Sequence, residues 1–209
     1  MREGAYIMDF QNMDSLHLDV LKEIGNIGAG HAVNALSLML GKKIDMAVPK
    51  VNILEFKDVS KVLGDPEELV FGVLVPFEGE LNGMMMFIFK LESARILINA
   101  LMGSHITDVD EFGEMDISAL KEIGNILSGS YLSALHSLVG KKVGPSIPNL
   151  AKDMAGAILS VPAIEFGIYT DQVMFIESVF DAGTPTVGYF ILVPDEESFK
   201  IILKALGVG

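Results

Sequence analysis

Apolar residues recur at helical spacing through two long stretches, and the two stretches are nearly the same. From Ser15 to Leu40, Val20, Ile24 and Ile27 fall on one side of a helix, while Asp19, Glu23 and Asn26, at i, i+4 and i+7, form a separate polar stripe. The spacing predicts a helix over Ser15–Leu40, with Ser15 or Asp14 as N-cap and Gly41 as the stop, and a twin over Asp116–Val139, stopped by Gly140. Elsewhere the pattern turns to short apolar runs. KIDMAVPKVNILEF predicts a strand, broken or edged by Pro49. EELVFGVLVPFEG and LNGMMMFIFK predict a hairpin turning around Phe77–Glu80, and LESARILINALMG a helix. The second half repeats this with IYTDQVMFIESVFDAG, TPTVGYFILVP and a helical DEESFKIILKALG. It carries an extra segment, NLAKDMAGAILSVPAIEFG, in which a short helix is expected.

LKEIGNI occurs at Leu21–Ile27 and again at Leu120–Ile126. Shifted by this interval, Asp19–Pro49 aligns with Ser118–Pro148 without a gap, and Gly30, Ala35, Leu36, Gly41, Lys42, Lys43 and Pro49 recur identically as Gly129, Ala134, Leu135, Gly140, Lys141, Lys142 and Pro148. Two copies with no Pro/Ser/Gly-rich connector predict one domain of two pseudo-symmetric halves, about 1–107 and 108–209, rather than two beads or a solenoid. The expected class is α+β: a pseudo-two-fold duplicated single domain, with a mainly antiparallel sheet and two long equivalent motif helices on the surface.

Composition removes several functions. Half of the 209 residues are hydrophobic, enough to bury a sizeable core. A net charge of −13 argues against nucleic-acid binding, which needs basic side chains on phosphates. With no cysteine, disulfides, zinc–thiolate sites and cysteine nucleophiles are excluded. The first twenty residues hold no apolar core of signal-peptide length, and runs such as LVFGVLVPF are too short to cross a bilayer, so a cytoplasmic protein without membrane insertion is expected.

The repeated acid and amide carry the candidate chemistry. A solvated face tolerates many polar residues interchangeably, whereas both copies keep the same glutamate and asparagine. The glycines at 25, 28 and 30 are costly inside a helix, at about 1 kcal/mol each against alanine, and suit either close helix–helix packing or room for a partner beside Asn26. A phosphate-cradling loop is ruled out: GNIGAG has no Lys-Ser/Thr tail, no preceding strand, and becomes GNILSG in the second copy. The four histidines are scattered, so no metal site is expected. Asparagine is no base near neutral pH, but its carboxamide donates and accepts at once and can hold a water. That suits hydrolysis in which the leaving group is already good and the nucleophile needs placing, as for an acyl phosphate.

An acid or serine, then Glu four residues on, Asn three further and Pro twenty-three further is a pattern the chain shows twice: Asp19, Glu23, Asn26, Pro49 and Ser118, Glu122, Asn125, Pro148. This resembles the signature of the CheC/CheX/FliY phosphatases of bacterial and archaeal chemotaxis, with length and paired motifs most similar to the CheC branch. The resemblance implies a hydrolase acting on the phospho-aspartate of the response regulator CheY. Asn26 and Asn125 would position the water, Glu23 and Glu122 would anchor the partner through a lysine, and Asp19 and Ser118 would support them. Pro49 and Pro148 would shape the following strand. It also implies no cofactor of the chain's own, magnesium carried by CheY, and a second partner, the deamidase CheD. The alternative is a non-catalytic chemotaxis or flagellar-switch protein that binds CheY or CheD.

Overall fold

The computed structural model describes residues 15–41, 43–166, 172–181, 184–205 and 207. The elements in chain order are α1 (Ser15–Leu40), β1 (Asp45–Glu55), α2 (Phe56–Leu63), β2 (Leu69–Gly79), β3 (Gly83–Lys90), α3 (Leu91–Met102), α4 (Glu114–Val139), β4 (Val143–Pro145), β5 (Asn149–Met154), α5 (Ala155–Phe166), β6 (Gln172–Asp181), β7 (Pro185–Pro194) and α6 (Glu196–Ala205), with a 3-10 turn at Val109–Glu111. Helix α1 runs over the expected residues, although Asp14, one of its two candidate caps, lies outside the described residues. Helix α4 begins two residues earlier than the pattern implies, because the Asp116 carboxylate accepts from the backbone N–H of Gly113 at 2.8 Å and extends the first turn. Gly41 and Gly140 end the two helices in the left-handed region, at φ 60° and 71°.

The strands form one sheet in the order β1-β6-β7-β3-β2-β4, with β5 also paired to β2, and every pairing is antiparallel. Both faces are covered. Phe71, Val73, Val75 and Phe77 of β2, with Met85, Phe87 and Phe89 of β3, pack into the larger core with α1, α3 and α4. The alternate residues Val70, Met84, Met86 and Ile88 join Val59 and Leu63 of α2 and Ile158 and Leu159 of α5 in a second core on the opposite face. Strand β3 is central, so its apolar run has no polar side, and the three consecutive methionines are split between the two cores. The short helix expected in the second half is α5. A further short helix, α2, is one the sequence pattern does not announce, because it follows β1 without an intervening breaker.

Two glycines set how closely the motif helices approach their supports. A Cβ on Gly28 would lie 2.5 Å from Cδ1 of Tyr131, so α1 sits directly on the Tyr131 ring of α4. On Gly124 it would lie 2.5 Å from Cγ1 of Val73, so α4 sits directly on β2. The Tyr131 ring cannot easily yield: it stacks on Phe190 at 4.5 Å, and Phe190 stacks on Phe87 at 4.9 Å. Beyond the end of α4, the Glu80 carboxylate accepts from the Lys142 N–H at 2.9 Å and from Lys141 Nζ at 3.2 Å. The first of these bonds, then the second, holds Glu80 below the usual carboxylate range and ties the β2–β3 turn to the helix end.

Gly28→Ala is expected to lower stability by about 1–3 kcal/mol by overpacking, in spite of alanine's better helix propensity, as read by urea denaturation. A second expectation concerns alkaline pH. Burial pushes the Tyr131 phenol up to about 12, partly opposed by the Ser178 hydroxyl, with which it makes no hydrogen bond of normal geometry. The folded pKa lies above the unfolded value, so this contribution is complete below about pH 10 and is lost as pH rises toward about 12. Tyr131→Phe should therefore change stability little near neutrality and flatten the alkaline fall measured by denaturation at successive pH values.

Candidate active site

Asp19, Glu23 and Asn26 on α1, and Ser118, Glu122 and Asn125 on α4, are all exposed. At about 100° per residue, each set spans a wedge of roughly 60°. On α1 this wedge is centred nearly opposite the buried residues Ile24, Gly25, Gly28, Ala29, Ala32 and Leu36. The motif faces outward because neighbouring positions are claimed by the core: Ile123 and Gly124 are buried, Gly124 against Val73, and the next residue, Asn125, is carried round to solvent. Helix α4 is buried more extensively, through Leu120, Ser130, Leu132 and Ala134 as well, yet its motif wedge stays clear.

Among the described residues, no hydrogen bond or ion pair engages the side chains of Glu23, Asn26, Glu122 or Asn125. Salt bridges nearby in sequence, such as Lys43–Asp45 at 3.1 Å and Lys141–Glu80 at 3.2 Å, involve other residues. Two open pockets are lined by other residues, one by Val33, Asn34, Ser37, Leu38, Gly41 and Lys43–Asp45, another by Glu92, Arg95, Asn99 and His105. Each glutamate–asparagine pair is thus presented on open helix surface, about 4.5 Å apart along the axis. A carboxamide so placed can hold a water against an approaching surface, and the carboxylate one turn away can pair with a cation on that surface.

The prolines lie off the helices. Pro49 is in β1, where the pairing with β6 shifts register between Ala47 and Lys50. Half-buried Pro148 immediately precedes β5. Among the described residues no group of three or more His, Asp or Glu side chains converges as a metal site, and no helix is long and apolar enough to cross a membrane. One turn beyond the motif stand exposed Gly30 and half-buried Gly129, positions that the candidate list drawn from sequence omits.

Residues 16–53 match the model of the CheC-like family, and residues 71–167 match that of the chemotaxis phosphatase CheX. Across 96% of this chain and 98% of the relative, it is 36% identical to the CheY-P phosphatase CheC of Bacillus subtilis. The chain belongs to the CheC/CheX/FliY family of CheY-phosphate phosphatases. The fold agrees with that of other CheC/CheX/FliY structures. Thermotoga maritima FliY superposes with a TM-score of 0.75 at 22% identity, covering 94% of this chain and 98% of that one. CheX in the CheX–CheY–BeF3–Mg complex of Borrelia burgdorferi superposes with a TM-score of 0.54 at 18% identity, covering 84% and 99%.

Because Glu23, Asn26, Glu122 and Asn125 stand exposed and are unpaired among the described residues, replacing Glu23 and Glu122 by Ala should change stability by no more than about 0.5 kcal/mol. Thermal denaturation of the double variant beside the parent protein checks this.

Proposed function

We propose that the protein hydrolyses the phospho-aspartate of CheY at two sites, one on α1 and one on α4. The observation that carries this reading is that the same acid and amide stand at equivalent places on both helices, exposed and, among the described residues, without a hydrogen-bond or ion-pair partner. Asn26 and Asn125 orient the attacking water by donating to and accepting from it. Glu23 and Glu122 engage a cation of the docked regulator and hold it in register, with Asp19 and Ser118 supporting the contact. The water oxygen attacks phosphorus, the bond from phosphorus to the aspartyl oxygen breaks, the aspartate leaves as carboxylate, and the water's proton departs with the phosphate. The transition state is loose, so alignment matters more than a strong base. Magnesium is read as carried by CheY, a reading supported by the similar CheX–CheY–BeF3–Mg complex. A cytoplasmic location and CheD as a second partner accompany this reading.

We also read the chain as a duplicated unit. Supporting this, with β4 and β5 together answering to β1, the element order α, β, α, β, β, α occurs twice and the sheet order reads the same from either end about the β3–β7 pair. The registers agree. Lys50 pairs with Glu177 and Asn149 with Leu74; Asn149 lies 99 residues after Lys50, the interval of the motif helices, and Glu177 lies 103 after Leu74, the interval of Phe190 from Phe87, which pair with each other. The halves then divide near residues 107 and 108.

The test is the lifetime of phosphate on CheY with substoichiometric protein. Asn26→Ala with Asn125→Ala should slow turnover by roughly 10²–10⁴-fold while folding persists, and each single variant should leave the other site's share. A double variant that turns over at the parental rate would overturn the mechanism. A protein that only binds CheY would leave the phosphate lifetime unchanged or lengthen it.

A further inference from the structure

We propose that Gly30 and Gly129 are positioning residues that keep the helix bare beside each asparagine, so that the phosphorylated face of the regulator comes down onto the backbone there. The proposal rests on the phosphatase reading above. Both residues lie in the middle of long helices, where glycine is the poorest choice after proline. Neither has a positive φ, so backbone geometry does not call for glycine. An added Cβ would meet no described heavy atom beyond the local helix backbone within 4 Å at either position, so packing does not call for it either. Gly28 and Gly124 differ on this point, since there an added Cβ would strike Tyr131 or Val73. Glycine nevertheless stands at this position in both copies.

What a side chain would do at these positions follows from helix geometry. Residues 26 and 30, like 125 and 129, are i and i+4 on one face. Helical side chains lean toward the N-terminus and cover the turn before their own Cα. A side chain on residue 30 or 129 would therefore lie back over the turn that carries the asparagine. Asparagine is short. For its carboxamide to reach a water at a phosphorus atom on another protein, the two backbones must approach closely, and a neighbouring side chain would hold them apart. Bare backbone beside Asn26 and Asn125 matches that need.

The experiment compares Gly30→Ala, Gly30→Gln, Gly129→Ala and Gly129→Gln, singly and with both positions changed together. Three measurements are made: melting temperature, affinity for CheY loaded with magnesium and beryllofluoride, and decay of CheY phosphate. The substitutions improve helix propensity in open space, so the double alanine variant should melt about 2–4 °C higher or more. Its affinity for the loaded regulator should fall about tenfold, and further with glutamine, which fills more of the gap. Higher stability with weaker docking is a combination that a merely structural role does not produce. Unchanged affinity in both double variants, or a lower melting temperature for alanine, overturns the proposal. The asparagine variants separate it from the reading beneath it. If they keep the parental rate while the glycine variants lose affinity, docking at the glycines stands and water positioning falls. If the parent protein does not bind the loaded regulator, both fall.

Discussion

Everything on the working face depends on how closely two helices are seated. Helix α1 rests on the Tyr131 ring through Gly28, and α4 rests on Val73 through Gly124, each with no space for a β-carbon. Tyr131 is itself fixed by Phe190 and Phe87 from the two central strands. A helix held so tightly on its inner side has one orientation about its axis, and that orientation turns the acid and the amide to solvent. The glycines therefore do two different jobs: those at 28 and 124 admit neighbours from within the molecule, while those at 30 and 129 have none.

The candidate site was legible in the sequence because it is written twice. One exposed Glu–Asn pair is indistinguishable from ordinary solvated surface, whereas two pairs in the same frame are not. The ends of α1 were legible because a long periodic run stops at a glycine, and α1 keeps the expected bounds. The start of α4 was not, because the Asp116–Gly113 contact depends on where the chain enters the helix. Helix α2 was hidden by its shortness and by its direct junction with β1. Sequence alone could state that the glycines suit close packing or a partner, but not which does which: the partner of Gly28 lies on a helix a hundred residues away.

Fold and function rest on different residues. The same sheet-and-helix frame can host unrelated activities, so structural likeness at 22% identity speaks for the frame alone. What bears on activity is the family relation at 36% identity; the acid-or-serine, glutamate and asparagine of each candidate site stand exposed on their helix. Burial defines the frame and exposure defines the site, and in LKEIGNI the two alternate from one residue to the next.

The contact between Tyr131 and Gly28 has one more implication when the chain is read as a duplicated unit. The positions answering to Tyr131 and Gly28 are Ala32 and Leu127, so bulk stands on α4 at both places and smallness on α1. A homodimer of identical halves cannot encode this, because every substitution would appear on both sides of its axis. On that reading, joining the halves in one polypeptide frees each side to change alone, so the two exposed motif faces can diverge while a single fold keeps them together.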